Sequence, residues 1–153
     1  MDTISHKIIS DSSKAKYDSS FAKIDFAAGG WAVQTISNLI ADNKYYVFSY
    51  VNIISVSSGN AGIRANNRAT NVTNYNNTIT YVTNGYVKLS GIFSATNNQL
   101  EVRYGGDYAG PVAHFDGYAL IDLTETFGPG NEPTQEWCDE HIEWFDGTIK
   151  INY

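Results

Sequence analysis

Three histidines, one cysteine and 16 Asp and Glu residues are the groups with which this 153-residue chain could do covalent or acid–base chemistry. His6, His114 and His141 stand in no nucleophile elbow and in no Ser/His/Asp or Cys/His setting. His141 falls beside Cys138 on a helical stripe, where a packed, hydrogen-bonded histidine is expected. Glycosidic hydrolysis needs two carboxylates flanking the bond, and the stretch from Asn43 to Leu100 contains neither Asp nor Glu. These residues predict a protein that is not an enzyme. For a metal, Asp116 and Asp122 flank the last long strand and Asp25 and Asp107 lie near turns, so oxygen ligands for calcium could converge there. The spacing is not that of an EF-hand, and the plainer expectation for these acids is solvated turn formers.

The aromatic and basic residues carry more information. A pyranose is recognised by stacking its apolar face on Trp or Tyr while planar amides and guanidinium groups bond its hydroxyls. Trp31, Tyr46 and Tyr81 are the candidate platforms, with Arg64, Asn66, Lys88 and Arg103 the candidate partners for hydroxyls or for anionic substituents such as phosphate. Strand alternation turns Ile63, Ala65, Val87, Leu89, Phe93, Leu100 and Val102 towards a core and leaves Arg64, Asn66, Lys88 and Arg103 on the other faces. The stretch Tyr45 to Ile53 is apolar on both faces, so Tyr46, Phe48 and Tyr50 fit either core or platform.

The elements that must position these groups are short strands. Period-2 segments run over 21–27, 31–36, 45–56, 62–66, 79–82, 86–95, 100–104 and 114–123, separated by Gly, Asn and Ser turns. Asn84-Gly85 predicts a type I′ hairpin turn. Near the C-terminus, Thr134 can cap a helix that carries Trp137, Cys138, His141, Ile142 and Phe145 on one stripe and ends near Gly147. Many short strands without βα alternation indicate an all-β fold: a two-sheet antiparallel jelly-roll β-sandwich with one short C-terminal α-helix, an immunoglobulin-like sandwich being the competitor. Residues 1–20 are expected to be an N-terminal extension or edge strand, and 21–153 a single domain.

Composition narrows the function classes. Hydrophobic residues make up 42% and charged residues 17%, which suits a globular core rather than disorder. A net charge of -6 argues against nucleic acid and anionic lipid as partners. The acids concentrate from Asp122 to Asp146, where eight occur without a Lys or Arg, while the central strands are mildly basic. No stretch reads as a membrane span or as a signal peptide. With Cys138 as the single cysteine, no internal disulfide forms.

The stretch from Asp122 to Thr134, with its run Phe127-Gly128-Pro129-Gly130-Asn131-Glu132-Pro133-Thr134, followed by a short acidic helix and Trp144-Phe145-Asp146-Gly147-Thr148, resembles the closing segment of carbohydrate-binding-module-like jelly rolls. Such domains occur in tail and receptor-binding proteins of bacteriophages and prophages of Gram-positive bacteria. The strand from Phe115 to Ile121 is similar to the last core strand of family-4/9-type carbohydrate-binding modules. Gly30-Trp31, 44–49 and 84–91 also fit that pattern, and the likeness spans about 20–148. The resemblance implies a structural calcium site using Asp116, with no cofactor required. It further implies a non-catalytic module that adheres to host cell-wall polysaccharide, with other tail proteins as partners, on the virion or extracellular. Two alternatives stand beside it: a structural or assembly domain of the tail that binds protein, and an accessory module of a wall-degrading enzyme. In each case the chain is expected to be a module of a larger protein.

Overall fold

The computed structural model describes residues 5–10, 20–25, 30–106, 111–145 and 148–152. Among the described residues, nine strands form the two main sheets: β1 (Ser5–Ser10), β2 (Ser20–Asp25), β3 (Gly30–Ser37), β4 (Lys44–Ser55), β5 (Ala61–Asn67), β6 (Thr73–Ile79), β7 (Val87–Ser94), β8 (Gln99–Gly106) and β9 (Val112–Asp122). The first sheet has the order β1-β2-β9-β4-β7 and the second β3-β8-β5-β6, antiparallel throughout. Two short helices, α1 (Leu123–Phe127) and α2 (Gln135–His141), then lead into a small hairpin of β10 (Ile142–Phe145) and β11 (Thr148–Ile151).

Between the sheets, Tyr45, Val47, Val51, Ile53, Leu89, Phe93 and Phe115 meet Ile63, Ala65, Leu100 and Val102 in one buried cluster. Tyr46, Phe48 and Tyr50 point the opposite way, with Ala119 and Ile121, into a second cluster closed by Leu123, Cys138 and Ile142. The two-sided apolarity of β4 therefore reflects a central strand covered on both faces, by the second sheet and by the C-terminal segment. Alternation along β9 changes sides at a bulge where Phe48 pairs Ala119 but Tyr50 pairs Asp116. Gly117 supplies the required positive φ of 59°. The sheets also approach closely at Gly91, where a Cβ would lie 2.0 Å from the Tyr75 ring.

Several expectations are corrected. The strand placed at 79–82 is instead β6, ending at Ile79, and β6 and β7 belong to different sheets. Asn84-Gly85 therefore lies in a crossover turn rather than a hairpin; Gly85 has φ 90°, but Asn84 is not in the positive-φ region. The C-terminal helix stops at His141, and Ile142 is buried as the first residue of β10. The helix α1, capped by Asp122 accepting from Glu125 N, was missed. Thr134 caps α2 as expected, accepting from Trp137 N at 3.3 Å. The side chain of Phe145 and the residue Asp107 lie outside the described set.

Candidate functional site

Strand register on the second sheet builds one face outside the sandwich. Ala32 and Ile36 pack inward on β3, which places Trp31, Val33 and Thr35 outward. Reading across the ladder, Trp31 lies opposite Gly105, and Gly105 opposite Gly62. The next outward row is Val33, Arg103, Arg64 and Asn76, and the one after it Thr35, Glu101, Asn66 and Thr73. Trp31, Arg64, Asn66 and Arg103, four of the predicted ligand residues, are thus brought onto one face by three adjacent strands. No described helix or strand lies across it.

Within this face the polar groups are already organised. The Arg64 guanidinium sits 4.2 Å from the centroid of the Trp31 ring and its Nε donates to Asn76 Oδ1 at 2.9 Å. Arg103 Nη2 donates to Glu101 Oε2 at 2.6 Å and to Asn71 Oδ1 at 2.9 Å. Arg68, from the β5–β6 turn, donates to Thr35 Oγ1 at 2.8 Å. Asn66 is almost fully buried, its Nδ2 donating to Asn71 Oδ1 at 3.4 Å. Two flat cationic groups, an indole and several amides side by side can bond vicinal hydroxyls and stack on a sugar ring.

Glu101 is a feature the sequence reasoning missed. It stands one residue beyond the acid-free stretch, yet alternation with Arg103 on β8 puts it on the same face. It neutralises Arg103, so this is not a purely cationic surface built for anions. Asn71 was also missed; nothing in an Asn-rich turn marks which amide reaches back over the sheet.

Tyr46 and Lys88 do not belong to this site. Tyr46 is fully buried in the other sheet, and its hydroxyl donates to Asp139 Oδ1 at 2.6 Å. Burial and that carboxylate raise its pKa far above the ordinary tyrosine value. Lys88 reaches under the C-terminal segment and donates to Asp139 O at 3.1 Å and Ile142 O at 2.8 Å, with its Nζ 4.9 Å from the Phe48 ring centroid. Burial lowers its pKa, although Asp139 and Glu143 oppose the shift. Both residues attach the helix to the sheet, because β4 and β7 turn these alternating positions towards α2. Tyr81 is exposed on the segment after β6, off the sheet face.

Asp116 sits at the β9 bulge, where its Oδ1 accepts from Gly117 N at 2.7 Å and its carbonyl accepts from Ser49 Oγ at 3.2 Å. Among the described residues no group of three or more His, Cys, Asp or Glu could hold a metal ion. Asp116 there turns the strand. His141 has the packed role expected of it, stacked on Trp137 with centroids 4.4 Å apart and Nδ1 2.9 Å from Trp137 O. Burial pushes the Cys138 thiol up to about 11, which suits a packing residue and not a nucleophile.

This two-sheet arrangement is an antiparallel jelly-roll β-sandwich, a fold it shares with solved carbohydrate-binding modules. Solved structures show the likeness. A xylan-binding domain, CBM22-1, from Paenibacillus barcinonensis superposes with a TM-score of 0.58 at 13% identity, covering 78% of this chain and 81% of that one. The module TmCBM61, solved with β-1,4-galactotriose, gives 0.55 at 12% identity over 78% of this chain and 87% of its own. The enzymatically active domain of bacteriophage CBA120 tailspike protein 4 gives 0.53 at 14% identity, covering 79% of this chain and 18% of that chain. No family model matches the chain, and no curated protein matches it. At these identities the likeness is one of fold.

Proposed function

We propose that this protein is a non-catalytic carbohydrate-binding module whose glycan lies across the outer face of β3, β8, β5 and β6. The observation that carries the reading is the convergence of Trp31, Arg64, Asn66 and Arg103 on that face, while the outer face of the other sheet carries α2 and its buried contacts. Neighbours of the same fold include a xylan-binding domain and a galactotriose complex, which supports a polysaccharide as the ligand class. The closing segment around Phe127-Gly128-Pro129-Gly130-Asn131-Glu132-Pro133-Thr134, together with a tailspike neighbour, supports a place in a phage tail or receptor-binding protein, on the virion or outside the cell. There the module would help attach the particle to host cell-wall polysaccharide, alongside other tail proteins.

Display of many copies on one particle tests this, because weak sites acting together give avidity without new contacts. Such particles should bind purified Gram-positive cell walls or a subset of a glycan array, and Arg64→Ala with Arg103→Ala should abolish binding without unfolding the domain. Well-folded particles that bind no wall and no glycan would favour the protein-binding assembly role. Binding that survives the double substitution would move the site elsewhere.

A further inference from the structure

The turn between β5 and β6 folds back over the candidate face and places Asn71 on the two groups that should meet a ligand. Its Oδ1 accepts from Arg103 Nη2 at 2.9 Å and from Asn66 Nδ2 at 3.4 Å. Asn71 is exposed, and its backbone sits at φ 54°, in the left-handed region. Beneath it, Asn66 Oδ1 and Arg103 Nε are buried without a hydrogen-bond partner among the described residues. A buried acceptor and a buried donor left unmet both disfavour this closed arrangement. We infer that Asn71 is a displaceable stand-in for ligand, its amide oxygen occupying in the free protein the place where Arg103 and Asn66 receive a neutral oxygen, a hydroxyl or amide carbonyl, of the glycan.

The ligand class follows from Glu101. Its carboxylate, 2.6 Å from Arg103 Nη2, already balances that charge, so a second anion there would meet a like charge while a neutral acceptor would not. The turn does not depend on Asn71 for its shape. Asn67, buried below, accepts from Ala69 N and Thr70 N at 2.9 and 3.1 Å and receives Asn97 Nδ2 at 2.8 Å, and Asn67 N donates to Val72 O at 2.8 Å. Removing the Asn71 side chain therefore opens the face without dismantling the turn, and glycine accepts its φ more readily than asparagine does.

This inference rests on the glycan-binding reading of the face. It is tested by calorimetric titration of the whole chain with xylohexaose and β-1,4-galactotriose, using the unmutated protein, Asn71→Gly and Asn71→Asp, with the folded state of each checked by its melt. A site closed nine-tenths of the time loses about tenfold in apparent affinity, so Asn71→Gly should bind at least one probe about tenfold more tightly. Asn71→Asp sets a second carboxylate beside Glu101, which disfavours the closed arrangement, so it should also bind more tightly than the unmutated protein. Tighter binding by both substitutions is the signature, because a residue that merely shapes the turn would weaken binding in both. Unchanged or weaker binding by Asn71→Gly, or no binding of either probe by any of the three proteins, overturns the inference; cell-wall binding by multivalent unmutated particles shows separately whether the glycan reading survives. Inorganic phosphate should not compete with the bound probe, and competition at millimolar phosphate would overturn the neutral ligand class.

Discussion

Arg64 and Lys88 show how residues of the same charge and similar strand context divide between binding and stability. Lys88 donates to two main-chain oxygens at the junction of α2 and β10. Replacing it by Ala removes charged hydrogen bonds and should cost about 2 kcal/mol of folding free energy, leaving glycan binding intact. Arg64→Ala should do the reverse, with an unchanged melt and lost binding, since its guanidinium lies over Trp31 on the outer face. Equal loss of stability in both variants, measured by urea unfolding, would contradict the division. Alternation in the sequence identifies the outward sense of Arg64, Arg103 and Lys88 alike. It cannot tell which sheet's outer face is covered later in the chain, and so Tyr46 and Lys88 read as ligand residues while Glu101 went unnoticed.

At the scale of elements, the C-terminal cover depends on two caps and a stack of rings. Asp122 accepts from Glu125 N at 2.9 Å to start α1 and from Asn43 Nδ2 at 3.0 and 3.1 Å. Burial pushes its pKa up, but these bonds outweigh that and hold the carboxyl below its ordinary value of 3.8. A depressed carboxyl stabilises the fold above the unfolded-state pKa and loses that contribution as pH falls through the folded value. Asp122→Ala should therefore cost about 1 kcal/mol at neutral pH, and the difference from the unmutated protein should shrink below about pH 4. A gap between the two melts that persists at pH 2 would show that the carboxylate is not its source. Trp137 packs edge-on against Phe127 at 5.5 Å and flat against His141 at 4.4 Å. Because the indole is only half-buried, Trp137→Ala should cost about 2 kcal/mol rather than the larger loss of a core tryptophan. An unchanged midpoint would make α2 peripheral. The strands of the sandwich were legible because period-2 patterning is strong where one face is buried. β6 was not, since Asn-rich Thr73–Ile79 reads as loop until β5 pairs with it. The helix length also failed, because Ile142 continues the helical stripe and a strand residue buried at the same place has the same composition.

For the whole molecule, the two sheets have unequal outer faces. The five-stranded sheet carries the C-terminal helices against its outer surface, and the four-stranded sheet leaves Trp31, Arg64 and Arg103 on a face with Glu101 among them. A partly neutralised face predicts that glycan affinity changes little with salt; a steep fall across a range where the Debye length drops from about 10 to about 3 Å would point to an anionic ligand instead. The most direct measurement of the central claim is nuclear magnetic resonance mapping of the amide and side-chain signals during titration with whichever glycan the multivalent display selects. The perturbed signals should cluster on Trp31, Val33, Arg64, Asn66, Asn76 and Arg103. Perturbations confined to the exposed segment around Tyr81 and Val82, or to the C-terminal cover, would contradict the account.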